Sequence, residues 1–213
     1  MTKIRFQLAV SVDGYSAGPD QSDENPLGVG GEDLHTWALE LEAWRKPHGL
    51  EGGEVNASSS VVEELQSNVG ATVMGRNMFG GGPGPWREDP QWNGWWGDNP
   101  PFHMPVFVLT HHPRGPLEME GGTTFLFVTE GIESALEQAK QAAEGRDVLI
   151  AGGASVVQQY LAAGLVDEFQ LHIVPIVLGA GERLLDNVGN LKLEQVRAIE
   201  APGVTHIKYR VVK

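Results

Sequence analysis

The chain has 213 residues, with 15 Lys and Arg against 28 Asp and Glu, a formal charge of −13. It has no cysteine, which excludes disulfide scaffolds, thiolate metal sites and thiol nucleophiles. The acidic balance argues against broad nucleic-acid binding, and no apolar run approaches the ~20 residues that cross a bilayer.

In chain order, Ile4 to Val12 (IRFQLAVSV) reads as a strand and not as a leader, so a cytoplasmic protein is expected. Gly18 to Asp33 is a long loop rich in Gly, Pro and acids. Leu34, Trp37, Leu41 and Trp44 recur at helical spacing and predict one helix with Asp33 at its start. Ser58 to Ser67 opens with candidate N-caps and carries a Val61/Val62/Leu65 face. Ala71–Met74, Val106–Thr110, Phe125–Val128 and Val148–Ile150 are short apolar runs of the kind buried on both faces of a parallel sheet. Two helical stripes lie among and after them, at Ile132/Ala135/Leu136/Ala139 and Val156/Val157/Tyr160/Leu161. Gly80 to Pro105 is a second long loop with Trp86, Trp92, Trp95 and Trp96, expected to pack over a partner or the mouth of a pocket. Val166–Val177, Leu191–Ile199 and Val204–Val212 are extended, with a hairpin at Ala201-Pro202-Gly203. The pattern predicts one α/β domain over residues 1–213, a central mixed sheet flanked by helices with an antiparallel C-terminal edge.

Three strand ends carry candidate chemistry. Val148-Leu-Ile-Ala-Gly-Gly-Ala-Ser-Val156 runs from strand through paired glycines into a helix. That fits a phosphate on free helix amides, or an ordinary tight turn. Val73-Met-Gly-Arg76 ends a strand in a residue permitting close approach and a planar cation suited to phosphate oxygens. Val108-Leu-Thr-His-His-Pro-Arg114 ends a third in Thr110, His111, His112 and Arg114. Adjacent histidines on a strand face opposite ways and no carboxylate joins them at ligand spacing, so no metal site is expected. Ligands of open α/β sheets sit beyond such strand ends. GxGxxG, P-loop and nucleophile-elbow patterns are absent.

The order Leu8-Ala-Val-Ser-Val-Asp-Gly-Tyr15, Val73-Met-Gly-Arg76, Val108-Leu-Thr110, Ile150-Ala-Gly-Gly153, Gly164-Leu-Val-Asp-Glu168 and His172-Ile-Val-Pro-Ile-Val-Leu-Gly179 resembles the dihydrofolate reductase-like superfamily. Within it, the chain resembles the reductase domain of riboflavin biosynthesis and its stand-alone relatives. The resemblance implies NADPH, a small heterocyclic (pteridine-, folate- or ribosylamino-pyrimidine-like) substrate, and a homodimer. By position, Arg76 and Thr110, His111, His112 and Arg114 hold the adenosine phosphate region. Gly75, Asn77, Met78 and Ala151, Gly152, Gly153, Ala154, Ser155 and Val156 lie along the pyrophosphate. Ala9 and the Ser16–Ala17 loop face the nicotinamide. Asp33 is the candidate proton donor or substrate anchor, and helix N-cap is its structural alternative. Asp13 is expected to fix the turn after the first strand. The chain departs from folate-type members in having Met78 where they carry a Thr. A cofactor-binding module without turnover, or a purely structural one, is the competing expectation.

Overall fold

Short β-rich runs alternate with amphipathic helices through the first three quarters of the chain, and a hairpin closes it. The computed structural model describes residues 2–87 and 91–213; residues 88–90, inside the second long loop, lie outside the described residues. In order the elements are β1 (Ile4–Ser11), β2 (Tyr15–Ala17), a 3-10 turn (Gly31–Leu34), α1 (Thr36–Leu39), α2 (Glu42–Arg45), α3 (Ala57–Gln66) and β3 (Val69–Gly75). Then come α4 (Arg76–Phe79), β4 (Pro105–Leu109), β5 (Leu117–Glu118), β6 (Thr124–Val128), α5 (Ile132–Ala142), β7 (Asp147–Gly152) and α6 (Ala154–Ala162). β8 (Glu168–Val174), β9 (Glu182–Arg183), β10 (Leu193–Ala201) and β11 (Val204–Val211) complete the chain.

Among the described residues, nine strands form one sheet in the order β10-β11-β8-β1-β7-β3-β4-β6-β5. The six central strands from β8 to β6 run parallel, and the β10–β11 hairpin adds the antiparallel edge expected from sequence. β5 is a second antiparallel edge that its two residues do not signal. Period-two alternation divides the apolar residues between faces. Phe6, Val10, Val73, Phe107 and Ile150 pack with α5 and α6. Met74, Val106, Val108 and Phe125 face the other way, with Phe79 and the tryptophans over them. Ala9, Val174 and Val204 lie under Leu34 and Trp37.

Two local expectations change. Leu34 and Leu41 are buried as predicted, but the helix through them breaks into three short turns. Leu41 is extended and bridges to Glu54, with Glu42 N–H donating to Glu54 O and Glu54 N–H to Glu40 O. Gly53 makes this possible, since a Cβ there would lie 2.5 Å from Glu42 N. The N-cap of α3 is Asn56, not one of the serines; its side chain accepts from Ser58 N–H, and Ser59 Oγ accepts from Asn56 N–H. The C-terminus of α3 rests on buried Arg5, which donates to the carbonyls of Glu64, Leu65 and Ser67 and pairs with Asp147 at 3.2 Å. A cation there satisfies orphan carbonyls and complements the helix dipole.

The opposite end of α3 meets a polar cluster under the sheet. His172 of β8 and His206 of β11 are register partners, and both are buried. Their Nδ1 atoms are 2.7 Å apart, and His206 Nε2 is 2.9 Å from Ser58 Oγ. The Trp37 ring lies 4.9 Å from each imidazole. Burial, with His206 and His35 nearby, lowers His172 to about 3. Burial, with Arg197 nearby, lowers His206 to about 4. Unfolded histidine titrates near 6.5. Below that pH the unfolded chain binds protons the folded chain refuses, so stability falls as the pH drops from 6.5 toward 4. Urea unfolding at pH 7.5 and 5.5 should differ by about 3 kcal/mol from this pair, a loss absent from the His172→Gln/His206→Gln variant.

Candidate functional site

The parallel strands β7, β3 and β4 are neighbours, so their carboxyl ends, and the three sequence motifs, emerge side by side. The tightest contact joins β3 to α6. A Cβ on Gly75 would stand 2.8 Å from Val156 Cγ2. Glycine therefore lets the end of β3 abut the first turn of α6. Gly152 has φ +124°, a region that L side chains rarely adopt, and its peptide bond to Gly153 is cis. Beside it stand Leu8 of β1 and the Met78 sulfur. No side chain caps α6 at Gly153, and the amides of Val156 and Val157 both use Gly153 O. The Ala154 and Ser155 amides have no partner among the described residues, as expected of a first helical turn. Gly153 and Ser155 are exposed, while Ala154 and Val156 are buried.

Arg76 joins this turn to β4. Its Nη1 donates to Thr110 Oγ1 at 3.4 Å and its Nε to Gly80 O at 3.2 Å. Nη2 donates to Gly81 O and Gly82 O at 3.4 and 2.9 Å, and Cζ sits 3.2 Å from the Trp86 ring centroid. Most of its donors are thus committed to the protein. Thr110 Oγ1 also accepts from His112 N–H at 3.1 Å, fixing the turn that carries His112. Arg114 donates to Trp92 O at 2.6 Å and Asn93 Oδ1 at 3.2 Å, and lies 5.1 Å from the Trp86 ring. Trp86, His112, Pro113 and Arg114 line an open cleft of about 510 Å³. Burial lowers the pKa of both arginines, and Arg114 lowers that of Arg76 further. Among the described residues neither forms a salt bridge with a carboxylate. Two partly desolvated, mutually repelling cations concentrate positive potential at this edge of an acidic protein.

The remaining sequence-derived residues lie elsewhere along this edge or away from it. Asn77 and His111 are exposed, Met78 is half-buried beside Gly152, and Ala151 lies half-buried in β7. Ala9 is buried with Leu34 and Val174. Ser16 and Ala17 are not a loop but β2, paired with β9, and Ser16 Oγ donates to Glu182 O at 3.3 Å. Asp33 is exposed within the 3-10 turn and does not cap it, since Gly30 holds that position. Asp13 fixes its turn as expected, accepting from Leu178 and Gly179 N–H at 3.1 and 2.8 Å. The Ser11 hydroxyl and the Gly179 and Leu178 amides lower its carboxyl to about 2.

The tryptophan loop folds back on its own chain. Trp86 packs against Phe79 and Phe127, Trp92 against Trp95, and Trp96 against Phe102 and Phe125. Trp86 Nε1 donates to His112 O at 2.8 Å, which places that ring at the cleft mouth. Sequence reasoning missed its role as the platform for Arg76. It also missed the Ser58–His206–His172 cluster, although His172 stands within a quoted motif.

The family model of the RibD C-terminal domain matches residues 2–207. "Uncharacterized protein YyaP" of Bacillus subtilis (strain 168) is 37% identical over 87 residues, 39% of this chain and 45% of that one. "Uncharacterized protein YwjB" of the same organism is 34% identical over 64 residues, 30% of this chain and 36% of that one. The matches thus span less than half of these relatives. A putative riboflavin biosynthesis protein from Shewanella sp. PV-4 superposes with TM-score 0.61 at 22% identity, covering 100% of both chains. Dihydrofolate reductase from Enterococcus faecalis, solved with NADP(H), superposes with TM-score 0.53 at 14% identity, over 99% of this chain and 97% of that one. The dihydrofolate reductase-like fold read from the sequence is the fold observed.

Substituting Gly75 by Ala should force its Cβ against the stiff Val156 side chain and cost ~1–3 kcal/mol. Because the clash is with one methyl, Val156→Ala should recover part of that loss. A double-mutant cycle by urea unfolding checks the coupling.

Proposed function

The chain belongs to the RibD C-terminal domain family, and from that premise we propose that it is an NADPH-dependent reductase of a small heterocyclic substrate. The observation that carries the proposal is that Arg76 follows Gly75, which abuts the uncapped start of α6 at Val156, with Arg114 near enough to Arg76 to repel it. The residues fit the cofactor's chemistry. The open amides of Ala154 and Ser155 suit a pyrophosphate at a helix N-terminus. Gly152 admits close backbone approach, and no side chain fills the space before Gly153. Arg114 and His112, facing the cleft, suit the phosphate that distinguishes NADPH from NADH. Arg76 supports them from behind, by holding Thr110 and Trp86.

When bound, the cofactor supplies a hydride to a C=N or C=O carbon of the substrate. The protein's own part is to bind, orient and exclude water. The acidic surface turns polyanions away while the half-buried arginines offer one strong local attraction. Residence in the cytoplasm and assembly as a homodimer belong to the same proposal; no helix among the described residues is long and apolar enough to cross a membrane. A cofactor-binding module without turnover is the second reading, favoured by the exposure of Asp33, the one carboxylate that the sequence offered as a proton donor.

Fluorescence titration separates these readings. NADPH should bind more tightly than NADH, and Arg114→Gln should weaken NADPH about tenfold or more while leaving NADH within twofold; such a loss corresponds to ~1.4 kcal/mol. Equal losses for both nucleotides, or no NADPH binding by the unaltered protein, would refute the assignment. NADPH oxidation with pterin, folate and ribosylamino-pyrimidine candidates then distinguishes turnover from binding alone.

A further inference from the structure

The polarity of the buried histidine cluster follows from counting donors and acceptors. Ser58 is 1% exposed, and its hydroxyl has one hydrogen-bond partner among the described residues, His206 Nε2. If that nitrogen carried the proton, the hydroxyl hydrogen would be buried without an acceptor, an arrangement folded interiors avoid. Ser58 therefore donates, and His206 Nε2 accepts. A neutral imidazole has one N–H, so His206 bears it on Nδ1. That N–H donates to His172 Nδ1 at 2.7 Å. His172 in turn must carry its hydrogen on Nε2. This last atom has no hydrogen-bond partner among the described residues, and it is not among the sealed polar atoms left unsatisfied. His172 as a whole is 6% exposed.

The position of that residue matters. His172 is the cross-strand partner of Ala9 on β1, in the carboxyl half of both parallel strands. β1 lies between β8 and β7, and Leu8 beside Ala9 touches the Gly152 turn. Two interstrand spacings, roughly 10 Å, separate His172 from that turn. Trp37, whose own Nε1 donates to Leu34 O at 3.0 Å, packs on both imidazoles and holds their planes.

Resting on the reductase reading above, we propose that His172 Nε2–H is a fixed hydrogen-bond donor that selects heterocycles presenting a carbonyl oxygen over those presenting an amino group at the same position. The donor is neutral and cannot be reversed without stranding the Ser58 hydroxyl hydrogen. An amino-substituted edge would set N–H against N–H, a mismatch that a site built for one polarity rejects strongly. His35, on the same side, and Arg197, beside His206, are the other titratable groups near the pair, and neither forms a hydrogen bond to it. Among the described residues no group of three or more His, Asp or Glu is arranged to hold a metal.

Imidazole nitrogen NMR on the intact protein reads the tautomers directly. His172 should be protonated at Nε2 and His206 at Nδ1 at pH 7, and Ser58→Ala should blur that assignment into a mixture. With NADPH saturating, 5,6-diaminouracil should move the His172 Nε2–H signal. It should also bind at least tenfold more tightly than 2,4,5,6-tetraaminopyrimidine, which carries amino groups where the uracil has oxygens. His172→Phe should bring the two probes within twofold while retaining NADPH affinity. A His172 proton on Nδ1, no response of its signal to the uracil, or equal binding of the two probes would overturn the inference. Failure of NADPH to bind would defeat the nucleotide reading alone. The tautomers and the same probe titration without nucleotide would still decide this one.

Discussion

The site depends on one cation that the protein itself occupies. Arg76 leaves β3 at Gly75 and turns its guanidinium back over Trp86, against three glycine carbonyls and the Thr110 hydroxyl. A planar fork with five fixed donors suits this bracket in a way an ammonium does not. Its partners lie on separate segments: the glycine stretch after α4, the end of β4 and the tryptophan loop. Without the bracket, nothing in the local sequence would make Gly80–Gly82, with φ values of +84°, +87° and +72°, choose this path. The same residue thus shapes the cleft and contributes to its charge.

The two sheet faces perform different work. Beneath α5 and α6 the contacts are apolar, with Phe6 stacked on Phe169 at 4.7 Å. The face under α1–α3 mixes apolar packing with hydrogen-bonded polar groups. Arg5 holds one end of α3, and the histidine pair meets Ser58 near the other. Glu64, on the same helix, bonds Arg197 and Lys208 of the C-terminal hairpin. Buried polar groups tolerate few arrangements because each lost partner is costly. They therefore fix the seat of α3 more narrowly than apolar contact would.

Much of the scaffold was legible in the sequence because strand and helix periods are local properties. The apolar runs became strands, the two helical stripes became α5 and α6, and Pro202-Gly203 made the hairpin turn. The strand-end motifs were legible as candidates, and parallel sheet order brought them together. What escaped was settled by distant partners. The break at Leu41 depends on Glu54 and Gly53. The pairing of His172 with His206 depends on the register of β8 against β11, 34 residues apart in sequence. The role of Trp86 depends on a guanidinium ten residues upstream folding back beneath it. None of these leaves a periodic trace.

The contrast between a chain of −13 and its two half-buried arginines has a kinetic side. On the proposed reading, an anion that comes within about a Debye length of the surface, ~8 Å at physiological salt, meets the repulsion of the net charge before the guanidiniums attract it at the cleft. Added salt screens the outer barrier as well as the inner attraction, so encounter rate and residence time should respond in opposite directions. On the proposed reading, this arrangement favours a small, compact anion at the cleft over an extended polyelectrolyte, a sieve made by the range of the forces and not by the width of an opening.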